Sequence, residues 1–288
     1  ETEIDLIVTQ LKSAQRPILL IGGGVSRKAA RALQTELTSS GIPVMTTWNA
    51  ADRVDAAHPS YLGRPNTWGQ RAANLLVAQA DLIIAVGTRL GMQQTGFNWQ
   101  QFGRNASVVQ VDIDRTELDK GHPKIDLPVC ADADNFLTRI LPKVHGDWET
   151  WVSYAQEVRK ALPLNDPANE TGKGFLSPYD FYADLVLLSD SDDVIVPCSS
   201  GGANSVSMQV IEQKLGQVII TDKGLASMGY GLAGAIGASM AHPGKRTFLI
   251  EGDGGFSQNL QELATVAVNN LPIKTFIFAN NGYGSIRM

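Results

Sequence analysis

The sequence predicts an α/β protein with two doubly wound, mostly parallel-sheet domains joined by a polar linker. Short apolar runs alternate with segments of helical periodicity along most of the 288 residues, as expected for strands connected by crossover helices. The alternation stops between 146 and 175, where the chain becomes amphipathic and then rich in Pro, Gly and Asn. We therefore predict a first domain over 1–145, a linker with an amphipathic helix over 146–175 and a second domain over 176–288.

The first domain is predicted to open with a helix over 4–14, because apolar residues recur there at helical spacing. The run PILLIGGG then predicts a strand that ends in a glycine turn, at Gly22 to Gly24. A helix follows, with Ser26 as its N-cap and Gly41 just past its end. The later elements are a strand at 42–47, a helix at 69–80, strands at 81–87, 107–114 and 127–132, and a helix at 133–141.

The second domain repeats this alternation. Its first helix covers 176–189 and has Pro178 in the first turn, where proline is tolerated. A strand over 192–198 leads to the loop SSGGANS and a helix that ends at Ile211. The remaining elements are a strand at 217–222, a helix of small residues within 223–242, a strand at 246–250, a crossover helix at 256–270 and a strand at 273–278. We expect both of these last strands to be buried.

Composition excludes several classes of function. The formal net charge is −5 and the chain has no basic run, so nucleic acid is not expected as a partner. No apolar run approaches the roughly 18–20 residues that a membrane span needs, and the first residues do not resemble a signal peptide. The two cysteines lack metal-ligand spacing and are expected to be buried thiols, which favours a cytoplasmic location.

Two polar triplets directly follow the last two predicted strands. Asp253 lies in Gly-Asp-Gly after the first strand, and Asn280 begins Asn-Asn-Gly after the second. Ligands of α/β sheets bind at the carboxyl ends of strands, where both triplets are placed. A carboxylate, an amide oxygen and a backbone carbonyl are hard donors that suit Mg²⁺. Either triplet alone is better explained as a turn, but the pair predicts a magnesium site.

The two triplets and the run NLQELATVAVNNLPIK between them resemble the cofactor motif of the thiamine-diphosphate-dependent acetolactate synthase and pyruvate oxidase family. The similarity extends over almost the whole chain. It implies a thiamine diphosphate domain in the second half, with Mg²⁺ held by Asp253, by the side chain of Asn280 and by the main-chain carbonyl of Gly282.

The resemblance also implies which residues contact thiamine diphosphate. Met228 lies in Ala-Ser-Met-Gly, which is similar to the stretch whose methionine supports the thiazolium ring and bends the cofactor, so Met228 is the one catalytic candidate. As bare sequence, the same methionine could simply fill the core. The full set implied to bind the cofactor is Gly201, Gly202, Ala203, Ala226, Ser227, Met228, Gly254 and Gly255.

The glycine turn of the first domain allows two interpretations. A strand, a glycine turn and a helix start form a plausible phosphate site, but the turn could equally serve packing alone. Arg27 stands where a dinucleotide fingerprint needs its third glycine, and no acidic residue follows about twenty positions later, so a nicotinamide cofactor is not expected.

The first domain as a whole resembles the family's central, transhydrogenase-like domain, through RPILLIGGG, AQADLIIAVGTRL and VVQVDID. That domain carries FAD in acetolactate synthases and pyruvate oxidases, and another nucleotide or nothing in other members. Both alternatives stay open for this chain. The residues implied to contact FAD are Gly23, Gly24, Thr88, Arg89, Asp112 and Asp114.

The family's chains are longer than this one. They begin with a pyrimidine-binding domain that carries the catalytic glutamate, and they extend past the metal motif. We therefore expect a fragment that is inactive alone, truncated at its C-terminus, and a homodimer or homotetramer as the working form.

The implied function is a carboligase or decarboxylase acting on a 2-oxo acid such as pyruvate. Gly202-Ala203-Asn204 stands where acetolactate synthases usually carry Gln-His, which weakens an assignment to branched-chain amino-acid synthesis. The alternatives are an FAD-linked pyruvate oxidase and a nucleotide-binding module without activity.

Overall fold

Two all-parallel sheets, one in each half of the chain, form the framework of the computed structural model, which describes residues 2–198 and 200–287. Helices lie on both faces of each sheet, so the predicted fold class is confirmed. The chain divides into unit 1, Glu1–Leu164, and unit 2, Asn165–Met288.

Unit 1 contains a five-stranded sheet in the order β2-β1-β3-β4-β5. Its strands are β1 (Pro17–Ile21), β2 (Val44–Thr46), β3 (Leu82–Val86), β4 (Ser107–Asp112) and β5 (Leu127–Cys130). The first three are buried along their whole length, because helices cover both faces. Strand β5 is an edge strand, and Cys130 at its end is exposed, contrary to the expectation of two buried thiols. Cys198 is buried as expected.

The helices of unit 1 begin and end where capping residues allow. The Oγ atom of Ser26 accepts a hydrogen bond from the Ala29 N–H, and Gly41 closes the next helix in the left-handed conformation. The predicted single helix between them is split at Leu33. The helices are α1 (Thr2–Ser13), α2 (Arg27–Ala32), α3 (Gln34–Ser40), α4 (Arg71–Gln79), α5 (Arg115–Leu118), α6 (Ala133–Ile140) and α7 (Glu149–Ala161).

Helix α7 lies in the stretch that the sequence assigns to a linker. Trp148 donates its indole N–H to the Ala14 carbonyl at 3.0 Å, and Trp151 donates to the Pro17 carbonyl at 3.3 Å. Both rings are buried in the core of unit 1. Helix α7 therefore belongs with unit 1, and the division of the chain falls after it, at Leu164.

The glycine turn after β1 packs directly on the loop after β3. Gly22 and Gly24 donate their N–H groups to the carbonyls of Val86 and Gly87, both at 2.8 Å. A Cβ atom on Gly22 would collide with the Gly87 carbonyl and would lie 2.5 Å from the Thr88 Cβ. The absence of a side chain at Gly22 is thus explained by packing alone.

We predict that Gly22→Ala destabilises unit 1 by about 1–3 kcal/mol, the usual cost of overpacking a tight interior. All five tryptophans lie in unit 1, so their fluorescence in a urea titration reports on this unit. Gly91→Ala is the matched control, because a Cβ atom there meets nothing within 4 Å. Equal unfolding midpoints for the two variants would contradict the packing explanation.

Unit 2 contains a four-stranded sheet in the order β7-β6-β8-β9. Its strands are β6 (Val194–Val196), β7 (Val218–Ile219), β8 (Thr247–Gly252) and β9 (Ile273–Phe278). Strand β8 is buried as predicted, but β9 is not: Lys274, Thr275 and Ile277 are exposed. Within the described residues β9 pairs only with β8, so one of its edges and much of its surface face solvent.

Two of the helices that the sequence predicts in unit 2 differ in the structure. Helix α9 starts at Gly201, so most of the predicted loop SSGGANS is its first turn. The crossover from β8 to β9 is not one helix: a short helix at Asp253 leads into a 3₁₀ segment, Ser257–Glu262, and then a second short helix. The helices are α8 (Pro178–Leu188), α9 (Gly201–Val210), α10 (Tyr230–Ala241), α11 (Asp253–Phe256), α12 (Leu263–Val268) and α13 (Gly284–Arg287).

None of the helices in the described part of the chain has the length and apolar character needed to cross a bilayer.

Candidate functional site

The carboxyl edge of the unit 2 sheet contains a topological switch point. Strands β6 and β8 are neighbours, and the connection that leaves β6 leads to β7 at one edge of the sheet, whereas the connection that leaves β8 leads to β9 at the other. Ligands of doubly wound sheets bind outside the strands at such a point. The loops after β6 and β8 contain the Gly201 and Asp253 stretches that the sequence singles out.

Asp253 joins the ends of β8 and β9. Its Oδ2 atom accepts hydrogen bonds from the backbone N–H groups of Asn280 at 3.2 Å and Gly282 at 3.0 Å. Its Oδ1 atom accepts one from the N–H of Gly254 at 2.8 Å. The structure thus brings the three predicted metal ligands together, although 27 residues separate Asp253 from Asn280.

The turn after β9 has a backbone that only a few residue types adopt easily. Asn281 has φ 64° and Gly282 has φ 122°, both in the left-handed region. A Cβ atom on Gly254 would lie 2.5 Å from the ring of Tyr283, so this turn closes directly over the GDG stretch. The close approach of the two turns explains a glycine at 254 without any reference to a ligand.

The donors at this edge suit a hard cation. Asp253 supplies a half-buried carboxylate, and Asn280 is exposed, so its amide oxygen is accessible. No group of three or more His, Cys, Asp or Glu side chains lies close enough to bind a metal within the described residues. One carboxylate with amide and carbonyl oxygens fits Mg²⁺, which takes few protein ligands and completes its shell with water and phosphate.

Gly201, Gly202 and Ala203 form the first turn of α9, at the end of β6. Gly201 has φ 64°, and a Cβ atom on Gly202 would meet nothing within 4 Å, so space remains open beside the turn. The backbone of Ala203 is held in place by helix α8, because the Ala203 carbonyl accepts a hydrogen bond from the buried Tyr182 hydroxyl at 2.6 Å. The start of a ten-residue helix is a favourable place for an anion.

A buried asparagine ties the ends of β6 and β7 together. Asn204 is fully buried, and its Nδ2 atom donates to the Pro197 carbonyl at 3.1 Å and to the Thr221 hydroxyl at 2.9 Å. Thr221 in turn donates to the Cys198 carbonyl at 2.7 Å. Cys198 has φ 35°, a strained value for a residue with a side chain, and these bonds hold it there.

Met228 lies in the loop that precedes α10. Ala226 has φ 56° and Gly229 has φ 85°, so the short stretch between them is sharply curved. Met228 and Ala226 are half-buried, and Ser227 is exposed. Met228 is therefore not packed into the core as a gap-filling methionine would be, but the structure does not by itself assign it to a cofactor.

Glu251 is a buried acid that the sequence reasoning did not single out. It is 3% exposed, and its Oε2 atom has no hydrogen-bond partner. Burial raises the pKa of Glu251 to about 7, while the N–H groups of Gly231 and Leu232 act in the opposite direction. A Cβ atom on Gly231 would collide with this carboxylate, and one on Gly255 would lie 2.7 Å from its Oε1 atom.

The signal for Glu251 was present in the sequence. It is the one charged residue in the strand Thr247–Gly252, and a charge on a buried strand needs a reason. The polar triplet Ser257-Gln258-Asn259 at the start of the predicted crossover helix was a second unused signal, since Ser and Asn favour helix ends over helix interiors.

The residues proposed for FAD lie along the carboxyl edge of the unit 1 sheet, but several are already engaged. Gly24 donates to the Gly87 carbonyl, and the N–H of Ser26 donates to Asp134 Oδ1 at 2.8 Å. Asp112 and Asp114 accept hydrogen bonds from their own loop, as Oδ1 of Asp112 does from the Asp114 N–H. Gly23 and Arg89 are exposed, whereas Thr88 is half-buried.

Two carboxylates lie beside the start of α2. Asp52 is buried there and pairs with Arg27 at 2.6 Å and with Arg53, and Asp134 accepts from the N–H of Ser26. In this conformation the N–H groups of Gly24 and Ser26 are not available to a dinucleotide phosphate, whereas the first residues of α2, Arg27 and Lys28, are basic. Both interpretations of the glycine turn therefore stay open.

Two family models match the chain. One is described as "Thiamine pyrophosphate enzyme, central domain" and matches residues 4–140. The other is described as "Thiamine pyrophosphate enzyme, C-terminal TPP binding domain" and matches residues 200–288. The matched ranges fall in unit 1 and unit 2 respectively.

Curated relatives carry matching names. The large subunit of acetolactate synthase isozyme 2 from Escherichia coli is 33% identical over 99% of this chain and 51% of its own length. An acetolactate synthase large subunit from Mycobacterium tuberculosis is 32% identical, over 96% of this chain and 45% of its own length. A probable acetolactate synthase large subunit from Methanocaldococcus jannaschii is 31% identical, over 96% of this chain and 48% of its own length. The chain thus spans about half the length of these relatives.

Proposed function

The chain belongs to the thiamine pyrophosphate enzymes, and on this premise we propose that it serves an acetolactate-synthase-like enzyme. The proposed reaction is the thiamine-diphosphate- and Mg²⁺-dependent decarboxylation of a 2-oxo acid such as pyruvate, with transfer of the remaining carbon unit to a second carbonyl. The names of the relatives support this class of reaction, and they support no choice of acceptor.

One geometry carries the proposal. The carboxylate of Asp253 lies within hydrogen-bond distance of the backbone of Asn280 and Gly282, at the ends of neighbouring strands. We assign Mg²⁺ to the Asp253 carboxylate, the Asn280 amide oxygen and the Gly282 carbonyl. The half-buried position of Asp253 allows a metal to be shared with phosphate oxygens.

The remaining residues of the edge would hold the cofactor. The first turn of α9, with Gly201 and Gly202, and the backbone of Gly255 suit a diphosphate, whereas the N–H of Gly254 already donates to Asp253 Oδ1 and would hold that carboxylate beside the phosphates. Met228 would support the thiazolium ring. Thiamine diphosphate supplies, when bound, the electron sink for cleaving the bond between the carboxyl and carbonyl carbons of the 2-oxo acid.

Two further parts of the proposal concern assembly and location. The crossover segment exposes Leu260, Leu263 and Val268, at 49%, 41% and 80%, and none of its residues in 257–268 is buried. An apolar stripe of this kind favours association with a second copy, so we propose a homodimer or homotetramer. Neither Cys130 nor Cys198 is in a disulfide, which suits the cytoplasm.

Calorimetric titration with thiamine diphosphate tests the proposal, because the residues proposed to hold Mg²⁺ and the diphosphate lie within this chain. We expect saturable binding that requires Mg²⁺ and disappears when a chelator is added. A folded protein that shows no Mg²⁺-dependent binding would overturn the proposal. A flavin absorption scan of the same sample tests the alternative, since a pyruvate oxidase would carry a bound flavin.

A further inference from the structure

The crossover that leaves the GDGG turn is interrupted at one residue. The segment Ser257–Glu262 is a 3₁₀ helix, and within it Asn259 has φ −130° and ψ 28°, which is not a helical conformation. A break inside a short helix costs backbone hydrogen bonding, so a compensating contact is expected. The contact that Asn259 makes lies in a different part of the sequence.

The side chain of Asn259 reaches the loop that carries Met228. Its Nδ2 atom donates to the Gly229 carbonyl at 2.7 Å, and its Oδ1 atom accepts from the Gln261 amide at 3.3 Å. Both ends of the Asn259 amide are therefore engaged. The neighbouring Gln258 donates its amide N–H to the Met228 sulfur at 3.7 Å, a weaker contact with the same loop.

Gly229 is shaped by this contact. It has φ 85° and begins helix α10 as its N-cap. A Cβ atom on Gly229 would lie 3.2 Å from Asn259 Nδ2 and 3.3 Å from the Gln258 Cβ, so the two segments are pressed together at this point. The left-handed backbone and the close approach both require glycine here.

The Met228 loop is held weakly by its own backbone. Gly224, Leu225 and Ala226 all donate their N–H groups to one carbonyl, that of Asp222, at 2.8 to 3.2 Å. Leu225 is 82% exposed. Ala226 is in the left-handed region, which a residue with a side chain keeps only when its surroundings enforce it. The contacts from Gln258 and Asn259 act just after this strained residue.

We propose that Asn259, assisted by Gln258, is a positioning residue that fixes Met228 relative to the Asp253 turn. The crossover starts at Asp253, so the same short segment that begins at the metal turn also clamps the Met228 loop. This inference rests on the proposed function, in which Met228 faces the thiazolium ring and Asp253 faces the diphosphate. In this proposal Asn259 affects binding of the thiazolium ring and does not affect binding of the diphosphate.

The test compares two ligands. Thiamine diphosphate and inorganic diphosphate, each with Mg²⁺, are titrated into wild type and into Asn259→Ala. Loss of the neutral hydrogen bond to the Gly229 carbonyl should weaken thiamine diphosphate binding by about three- to tenfold and leave inorganic diphosphate unaffected. Amide hydrogen exchange over 226–231 should quicken by a similar factor in the variant.

Asn269→Ala is the matched control, because Asn269 also donates an amide N–H to a carbonyl of the crossover, that of Thr265 at 2.8 Å, but away from the Met228 loop. We expect it to leave both affinities and the exchange of 226–231 unchanged. Gln258→Leu is a milder second variant at an exposed position, should Asn259→Ala fail to fold, and it should weaken thiamine diphosphate binding in the same selective way.

The outcomes separate the two proposals. If wild type binds neither ligand, the proposed function is wrong. If wild type binds both and Asn259→Ala retains full affinity for thiamine diphosphate, the positioning role is wrong, whatever happens to the hydrogen exchange. Equal weakening of both ligands would also overturn it, because that result places Asn259 at the diphosphate or in the fold as a whole.

Discussion

Asp253→Asn is expected to weaken Mg²⁺-dependent binding of thiamine diphosphate by at least about 100-fold. Substitution of residues that merely hydrogen-bond to metal ligands already lowers metal affinity by about 10–100-fold. Here the substitution removes the only carboxylate of the predicted ligand set itself. The substitution also turns one acceptor oxygen into an amide donor. That donor would face the N–H of Gly254 or those of Asn280 and Gly282, so the two turns would lose part of what joins them.

Calorimetry at fixed Mg²⁺, with circular dichroism to confirm the fold, measures this effect. Asp184→Asn is a suitable control, because Asp184 is an exposed carboxylate of unit 2 on helix α8. It removes the same charge without touching the strand ends. Comparable affinities of Asp253→Asn and wild type would show that Asp253 is not a metal ligand.

The fold was predictable because local signals in this chain agree with the tertiary structure. Ser26 and Gly41 cap helices as expected, and the apolar run at Leu82–Val86 forms a buried strand. What failed depends on neighbours that a sequence does not display. Strand β9 carries an apolar run, yet it is an edge strand with exposed faces, and the tryptophans of α7 belong to the core of unit 1.

The candidate site was predictable where it depends on short motifs at strand ends. The sequence places Asp253 and Asn280 at the same edge, and the structure joins them through backbone N–H groups. The supporting residues were not predictable in this way. Asn259 and Glu251 act through contacts with Gly229 and Gly231, which are distant in sequence. A charge in a buried strand and a polar triplet at a helix start mark the two residues as unusual, but periodicity and spacing do not identify their contacts.

Glu251→Gln is expected to remove a pH-dependent loss of stability in unit 2. Burial raises the pKa of Glu251 from 4.5 to about 7, so the folded chain binds this proton more tightly than the unfolded chain does. The folded state is therefore favoured below about pH 4.5, and stability is lost as the pH rises towards 7. At about 1.4 kcal/mol per pKa unit, the loss is at most about 3.5 kcal/mol above neutral pH.

The test depends on how the free energy of unfolding changes with pH, and not on its absolute value. A glutamine amide brings a second donor into a site where Oε2 already has no hydrogen-bond partner, so the variant carries a constant penalty of about 1–3 kcal/mol at every pH. That penalty cancels when each protein is compared with itself at about pH 5 and about pH 8. Stability of β8 is read from amide hydrogen exchange, corrected for its intrinsic pH dependence, with a chelator present so that no Mg²⁺ reaches Asp253.

Glu170→Gln serves as the control, because Glu170 is an exposed carboxyl group of the same unit and its replacement should leave the slope of wild type intact. If Glu251→Gln flattens the slope, the acid beside Gly231 and Gly255 keeps its proton well above its ordinary pKa and loses it only near pH 7 in the metal-free protein. A neutral acid is the form expected between two glycine turns that lack room for a counterion. An unchanged slope of the unfolding free energy with pH would instead mean that the Glu251 carboxylate is charged and is stabilised by the N–H groups at the start of α10. Its burial would then contribute nothing to the pH dependence of folding.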